Sequence, residues 1–136
     1  MGDYHELEVF MKARKLAVFV YRKTAKFPAA ERFTLVDQMR RAAVSIASNI
    51  AEAQGRETSR ERLRFLHIAR GSLCELEMQA LISGDLHFLT SRQTDILIHA
   101  INQLGRQLNT LINHYRKRRS VSPDNRQPTT DNRVSP

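Results

Sequence analysis

The chain has 136 residues, room for one domain with a modest core, and 22 lysines and arginines against 14 aspartates and glutamates give it a formal net charge of +8. One cysteine excludes an intrachain disulfide framework and suits a reducing cytoplasm. The acidic opening MGDYHELEVF has no signal-peptide core, and no apolar run approaches the roughly 20 residues of a membrane helix. With no Trp, only five Gly and only four Pro the composition favours helix over sheet, and the basic balance suits a polyanion such as RNA or DNA.

Four helical segments follow in order. The first is expected over Glu8 to Lys26, with Val9, Ala13, Leu16 and Val20 on one face and Phe10, Ala17 and Tyr21 beside them. Phe27-Pro28 stops it, because a residue before proline disfavours helical geometry. The second begins after Thr34, with Asp37 at capping-box spacing, and ends at Gly55. It carries three stripes. Leu35, Met39, Ala42, Ile46, Ile50 and Ala53 are apolar, Ala43, Ala47 and Ala51 are small, and Gln38, Arg41, Ser45, Asn49 and Glu52 are polar.

The third helix opens on a better capping box, Thr58 with Glu61. Leu63, Leu66, Ala69, Leu73, Ala80 and Leu81 form its apolar face, and Gly84-Asp85 ends it. Cys74 reads as a small buried residue. The fourth helix follows Thr90 or Ser91, with Gln93 placed to complete a cap. Leu97, Ile101, Leu104, Leu108, Leu111 and Tyr115 alternate steps of four and three along it, a heptad seam.

The helical domain is expected to span residues 1–119, and 120–136 to be a disordered tail rich in proline and poor in apolar residues. The tail's two arginines cancel its two aspartates, so the excess charge sits on the helices, 20 basic against 12 acidic residues. Short connections make neighbouring helices antiparallel. The expected fold is all-α, an antiparallel up-down-up-down four-helix bundle. Two hairpins that open and pair with another chain are the alternative.

Further patterns bear on function. Phe65, Ile68, Ser72, Leu76 and Gln79 form a second line on helix three, and Ile98, Ile101, Gly105, Leu108 and Ile112 one on helix four. Large apolar groups on a second seam point to a homo-oligomer, with Phe65, Ile68 and Ser72 as its interface. Arg41, Ser45, Asn49, Glu52, Arg70 and Glu77 are expected to form a register-fixing polar network, since charges inside an apolar sector need partners. Arg40, Arg56, Arg60 and Arg64 lie off the apolar faces, and Arg92 and Arg106 share an exposed line with His99. These six are the candidate phosphate contacts. Arg116 to Arg119 add charge that also complements the helix dipole. No Glu-x-x-His motif or His–carboxylate cage occurs, so no metal or other cofactor is expected.

Phe27-Pro28, Glu31, Gln38, Arg40-Arg41-Ala42, Ser45-Ile46, Asn49-Ile50-Ala51-Glu52 and Gly55-Arg56 stand in a recognisable order. Phe65-Leu66, Ala69, Gly71-Ser72-Leu73 and Glu75-Leu76-Glu77 continue it. Over about residues 6 to 118 the chain resembles the four-helix bundle family linked to intervening sequences in bacterial 23S ribosomal RNA genes, once labelled S23 ribosomal proteins. It departs at Ala53, where the family pattern has glycine. The resemblance implies a bundle that assembles into a ring-like homo-oligomer, a pentamer. The family is also similar to the accessory variability protein of diversity-generating retroelements, a basic pentameric bundle that binds nucleic acid and a reverse transcriptase. The family has no established enzymatic activity, and the resemblance supplies no set of functional residues.

The expected function is therefore a non-enzymatic, nucleic-acid-binding accessory or scaffold protein. One alternative is a scaffold whose partner is another protein. The other is a ribonuclease of the HEPN type, since Arg62 to His67 and Arg92 to His99 match its Arg-to-His spacing. Leu63 breaks the first match where that pattern has a polar residue, and Gln93 keeps the second.

Overall fold

The computed structural model describes residues 3–121 and the side chains of residues 4–119. Four helices account for most of it: α1 (Asp3–Thr24), α2 (Leu35–Gln54), α3 (Ser59–Asp85) and α4 (Ser91–Val121). A 3-10 turn over Ala29–Glu31 follows Phe27-Pro28, and no strand occurs among the described residues. α1 packs on α2, α2 on α3 and α3 on α4, and α1 closes the square against α4. This is the four-helix bundle that the short connections dictate. The expected tail falls outside the described residues, except that α4 runs on through Ser120 and Val121.

Except at Leu35 of α2, which is half-buried, and Leu81 of α3, each helix buries the face its periodicity predicts. Val9, Ala13, Leu16 and Val20 of α1 meet Met39, Ala42, Ile46 and Ile50 of α2 in one core. The α4 seam, Leu97, Ile101, Leu104, Leu108, Leu111 and Tyr115, is buried along its whole length. Full burial of one such aliphatic side chain contributes about 1.5–3 kcal/mol, so these seams outweigh any single cap or ion pair.

The second seams turn inward instead of outward. Phe65 and Leu76 are buried within the chain, as are Ile101, Leu108 and Ile112, while Ile98 is partly buried against the same core. The reason is topological. α3 touches both α2 and α4, so its buried arc must serve two neighbours and is wider than one stripe. Phe65, expected at an interface, is packed within its own chain. Ile68 stays outside, 42% exposed. Leu81, expected in the core, is exposed, and so is Cys74, which was expected to be buried.

The helix ends show which caps were correctly anticipated. Thr58 Oγ1 accepts the Glu61 backbone N–H at 3.2 Å. Thr90 and Gln93 cap reciprocally, at 3.0 and 2.9 Å. The Thr34 box does not form. Its hydroxyl donates to Glu31 at 2.8 Å, and Asp37 pairs with Arg41 at 2.8 Å. α1 starts earlier than expected, at Asp3, and ends at Thr24.

α3 ends through a left-handed residue. His87 has φ 62°, and the next N–H, from Phe88, reaches back to the Ser83 carbonyl at 2.9 Å. That bond is the long link of a Schellman turn. Gly84 precedes it, where α3 lies against Thr94 of α4. A Cβ there would lie 2.7 Å from Thr94 Oγ1. Phe27 and Phe88 close this end of the core, ring centroids 5.4 Å apart.

Candidate nucleic-acid interface

Alternating helix directions bring the start of α1, the α2–α3 turn and the end of α4 to one pole. Arg62 is the hub that ties them. Its Nε donates to the Arg56 carbonyl at 2.7 Å, and its Nη1 donates to Tyr115 Oη at 2.7 Å. Nη1 also lies 3.9 Å from the Glu6 carboxylate, and the Tyr115 hydroxyl donates to that carboxylate. α1, α3 and α4 are thus joined through one phenol. Burial, reinforced by the hydrogen bond to Glu6, pushes the Tyr115 pKa up.

Arginines surround this hub. Arg56 and Arg64 lie over the Phe65 ring, 4.9 and 4.3 Å from its centroid. Arg56 is partly neutralised by Glu52 at 2.8 Å and Glu61 at 3.8 Å. Arg60 and Arg64 are exposed and have no acidic partner among the described residues. Arg116, Arg118 and Arg119 on the last turns of α4 are also exposed and have no acidic partner among the described residues, though Arg118 lies over the Tyr115 ring at 5.8 Å.

The other candidate phosphate contacts lie elsewhere. Arg40 is near the opposite pole, about 21 Å along α2 from the Arg56 turn at 1.5 Å per residue. There its Nε donates to Thr24 Oγ1 at 2.9 Å and its Nη2 to the Tyr21 carbonyl at 3.2 Å, with the guanidinium 4.6 Å from the Tyr21 ring centroid. It caps the end of α1, a structural duty for a cation at a helix C-terminus. Arg92 is exposed on the first turn of α4, also far from the hub. Arg106 is exposed beside the α3–α4 groove.

The expected six-member polar network separates into pairs. Ser45 Oγ and Ser72 Oγ share a 2.8 Å hydrogen bond between α2 and α3, and Asn49 Nδ2 donates to the Ser45 carbonyl at 2.8 Å. Ser72 is therefore engaged within the chain. Arg41 goes to Asp37 and Glu52 to Arg56. Arg70 donates to Asn109 Oδ1 at 3.0 Å and contacts His67 Nδ1 at 3.1 Å. Glu77 is half-buried in the α3–α4 groove with no partner among the described residues. None of the four charged members is buried, so the requirement that would have linked them does not arise.

His67 is held below the ordinary histidine pKa by burial first, then by Arg70, Arg116 and Arg119. Sequence reasoning missed the Glu6–Tyr115–Arg62 link and the Arg70–Asn109–His67 cluster. A phenol at a heptad core position was the available signal for the first, since a buried hydroxyl needs a partner. For the second there was none. The Arg62–His67 pair does not meet, because Arg62 is committed to Tyr115, Glu6 and the Arg56 carbonyl while His67 turns to Arg70. Among the described residues no three His, Cys, Asp or Glu side chains converge as a metal site would require. No described helix is long and apolar enough to cross a membrane.

These features define an all-helical bundle protein with a cationic pole. The chain belongs to the 23S rRNA-intervening sequence protein family, whose pattern it matches over residues 5–110. It is also similar to the crystal structure of a protein of unknown function from the S23 ribosomal protein family of Bacteroides thetaiotaomicron VPI-5482. The TM-score is 0.73 at 21% identity, covering 80% of this chain and 98% of the other. At that identity the likeness shows the fold. No curated protein matches the chain.

Proposed function

We propose that the chain is a non-enzymatic accessory or scaffold protein of the cytoplasm that self-associates and binds RNA or DNA through its arginine-bearing pole. One observation carries the nucleic-acid reading. Arg60, Arg64, Arg116, Arg118 and Arg119, drawn from α3 and α4, gather at one end with no acidic partner among the described residues, while Glu6, Glu52 and Glu61 there are engaged by Arg56, Arg62 and Tyr115, which leaves Glu57 as one exposed carboxylate against five arginines. Unneutralised arginines fixed on rigid helices suit phosphate contacts, which need charge and position only. The commitment of Arg62 to the hub removes the Arg62–His67 match and leaves Arg92–His99 as the pair a ribonuclease would need.

Self-association draws support from the outer face of α3. Ile68, Met78 and Ile82 are exposed there, and Gly71 among them would place a Cβ in open space. The partner is a second copy of this chain, and five copies in a ring is the number the family resemblance implies. Sedimentation tests it. Wild type is expected to run as an oligomer and Ile68→Glu with Met78→Glu as a single chain. Wild type running as a single chain at working concentration would remove the assembly.

A salt titration of binding to single-stranded RNA tests the pole. Five phosphate contacts predict a slope of log K against log salt of about −3.5 per protomer. Replacing Arg60 and Arg64 by Gln should flatten it by about 1.4. No binding at low salt, or a slope near zero, overturns the nucleic-acid reading and leaves the protein-partner scaffold. RNA cleavage that His99→Ala abolishes would establish the ribonuclease instead.

A further inference from the structure

The groove between α3 and α4 is lined by Arg70 and Asn109 at the end nearer the cationic pole and by Gly105, Arg106 and Glu77 further down. His67 lies at its upper end. A guanidinium can only donate, so the 3.1 Å contact between Arg70 Nη2 and His67 Nδ1 requires an unprotonated Nδ1 that accepts. His67 is therefore the neutral tautomer with its proton on Nε2. Arg70 is held in place from the other side by Asn109 Oδ1.

We propose that His67, Arg70, Arg116 and Arg119 form a proton-linked phosphate subsite, in which a backbone phosphate of bound nucleic acid and a proton on His67 enter together. The proposal rests on the nucleic-acid reading above and adds to it a ligand position and a pH dependence. Its physical basis is the cluster of Arg70 on His67 and Asn109, with Arg116 two helical turns beyond Asn109 on the same side of α4. Burial disfavours a charge on the imidazole first, and Arg70, Arg116 and Arg119 add to that. Among the described residues, the charged groups that bear on His67 are Arg70 of its own helix and Arg116 and Arg119 of α4, while Glu6 of α1 is taken up by Arg62 and Tyr115. With nothing bound, a fourth positive charge among three is disfavoured. A phosphodiester seated among the arginines cancels much of that field, and the cost of the extra proton falls with it.

The proton also frees a donor. Once Nδ1 carries hydrogen it no longer accepts from Arg70, and Nη2 of Arg70 turns to the phosphate. Imidazolium and guanidinium then both donate charge-assisted hydrogen bonds to the same anion. The sign follows from linkage. Because the free-state pKa is lowered and the bound-state pKa is raised relative to it, binding takes up a proton between the two values. Affinity therefore rises as pH falls through that window, by up to tenfold per pH unit.

The test uses the full chain and a fluorescein-labelled mixed-sequence RNA oligonucleotide at low salt. The His67 ring is titrated by NMR with and without RNA, and affinity is measured from pH 5.5 to pH 8. The His67 pKa is expected to rise by about one unit or more on binding, with RNA bound roughly tenfold tighter at pH 5.5 than at pH 8. His67→Gln is expected to lower that ratio severalfold, the remainder coming from His114 beside Arg118, while His99→Gln leaves it intact. If RNA binds but the His67 pKa does not move, or His67→Gln keeps the wild-type ratio, the subsite is wrong and the nucleic-acid reading stands. If RNA does not bind even at pH 5.5 in low salt, the underlying reading fails and the subsite with it.

Discussion

Tyr115→Phe removes one oxygen and with it the link between three helices. The hydroxyl accepts from Arg62 and donates to Glu6, so two hydrogen bonds to charged groups are lost. Each such bond is worth about 1.5–3 kcal/mol. Part of that returns, because Arg62 and Glu6 already lie 3.9 Å apart, and their side chains, 24% and 15% exposed, can draw together or recruit water. A net loss of about 2 kcal/mol is expected, which for a domain of this size is about 8 °C in Tm. Circular dichroism or calorimetry at pH 7 reads the shift. Hydrogen exchange reads its location, since the amides of the first two turns of α1 should exchange faster while those of the α2–α3 interface do not. The alkaline limb adds a second signature. The folded Tyr115 pKa is raised, so its contribution is complete below the free tyrosine pKa of about 10 and is lost as pH rises through the folded value. Wild type should weaken there by a component that Tyr115→Phe lacks. A Tm within 1 °C of wild type, with unchanged exchange in α1, would refute the claim that the phenol ties the helices.

Two glycines on α3 give predictions of opposite sign. Gly84→Ala puts a methyl 2.7 Å from Thr94 Oγ1 and 3.0 Å from its Cγ2. It should cost about 1–3 kcal/mol by denaturant titration, and Thr94→Ala in the same chain should recover most of that loss. Equal losses with and without Thr94 would rule out the close approach as the cause. Gly71→Ala meets nothing within 4 Å, so the dilute chain should gain about 1 kcal/mol from helix propensity. Sedimentation should at the same time show weaker self-association, because the added methyl lies on the face offered to a second copy.

Features set by local chemistry or by one period could be read from the sequence. The α4 seam from Leu97 to Tyr115, the Thr58 cap and the Thr90–Gln93 cap needed only spacing. Thr34 failed because two other local partners, Glu31 and Arg41, were nearer to hand for its hydroxyl and for Asp37. The burial of Phe65 was missed because periodicity gives an angle around a helix but not the number of neighbours, and α3 has two. Arg40 was grouped with Arg56 and Arg64 because a helical wheel discards height, and height puts it near the other pole. Glu6 and Tyr115 are 109 residues apart, and no short-range pattern could pair them.

The Glu6–Tyr115 contact fixes more than stability. It sets the start of α1 beside the last turns of α4, next to the arginines. A folded domain fused directly to the start of α1 would shade that surface, and a binding assay on such a fusion would report the fusion's interference. A circular permutant joined across the bridged ends and opened between Leu86 and Thr90 would carry its new ends at the far pole and leave the arginines bare.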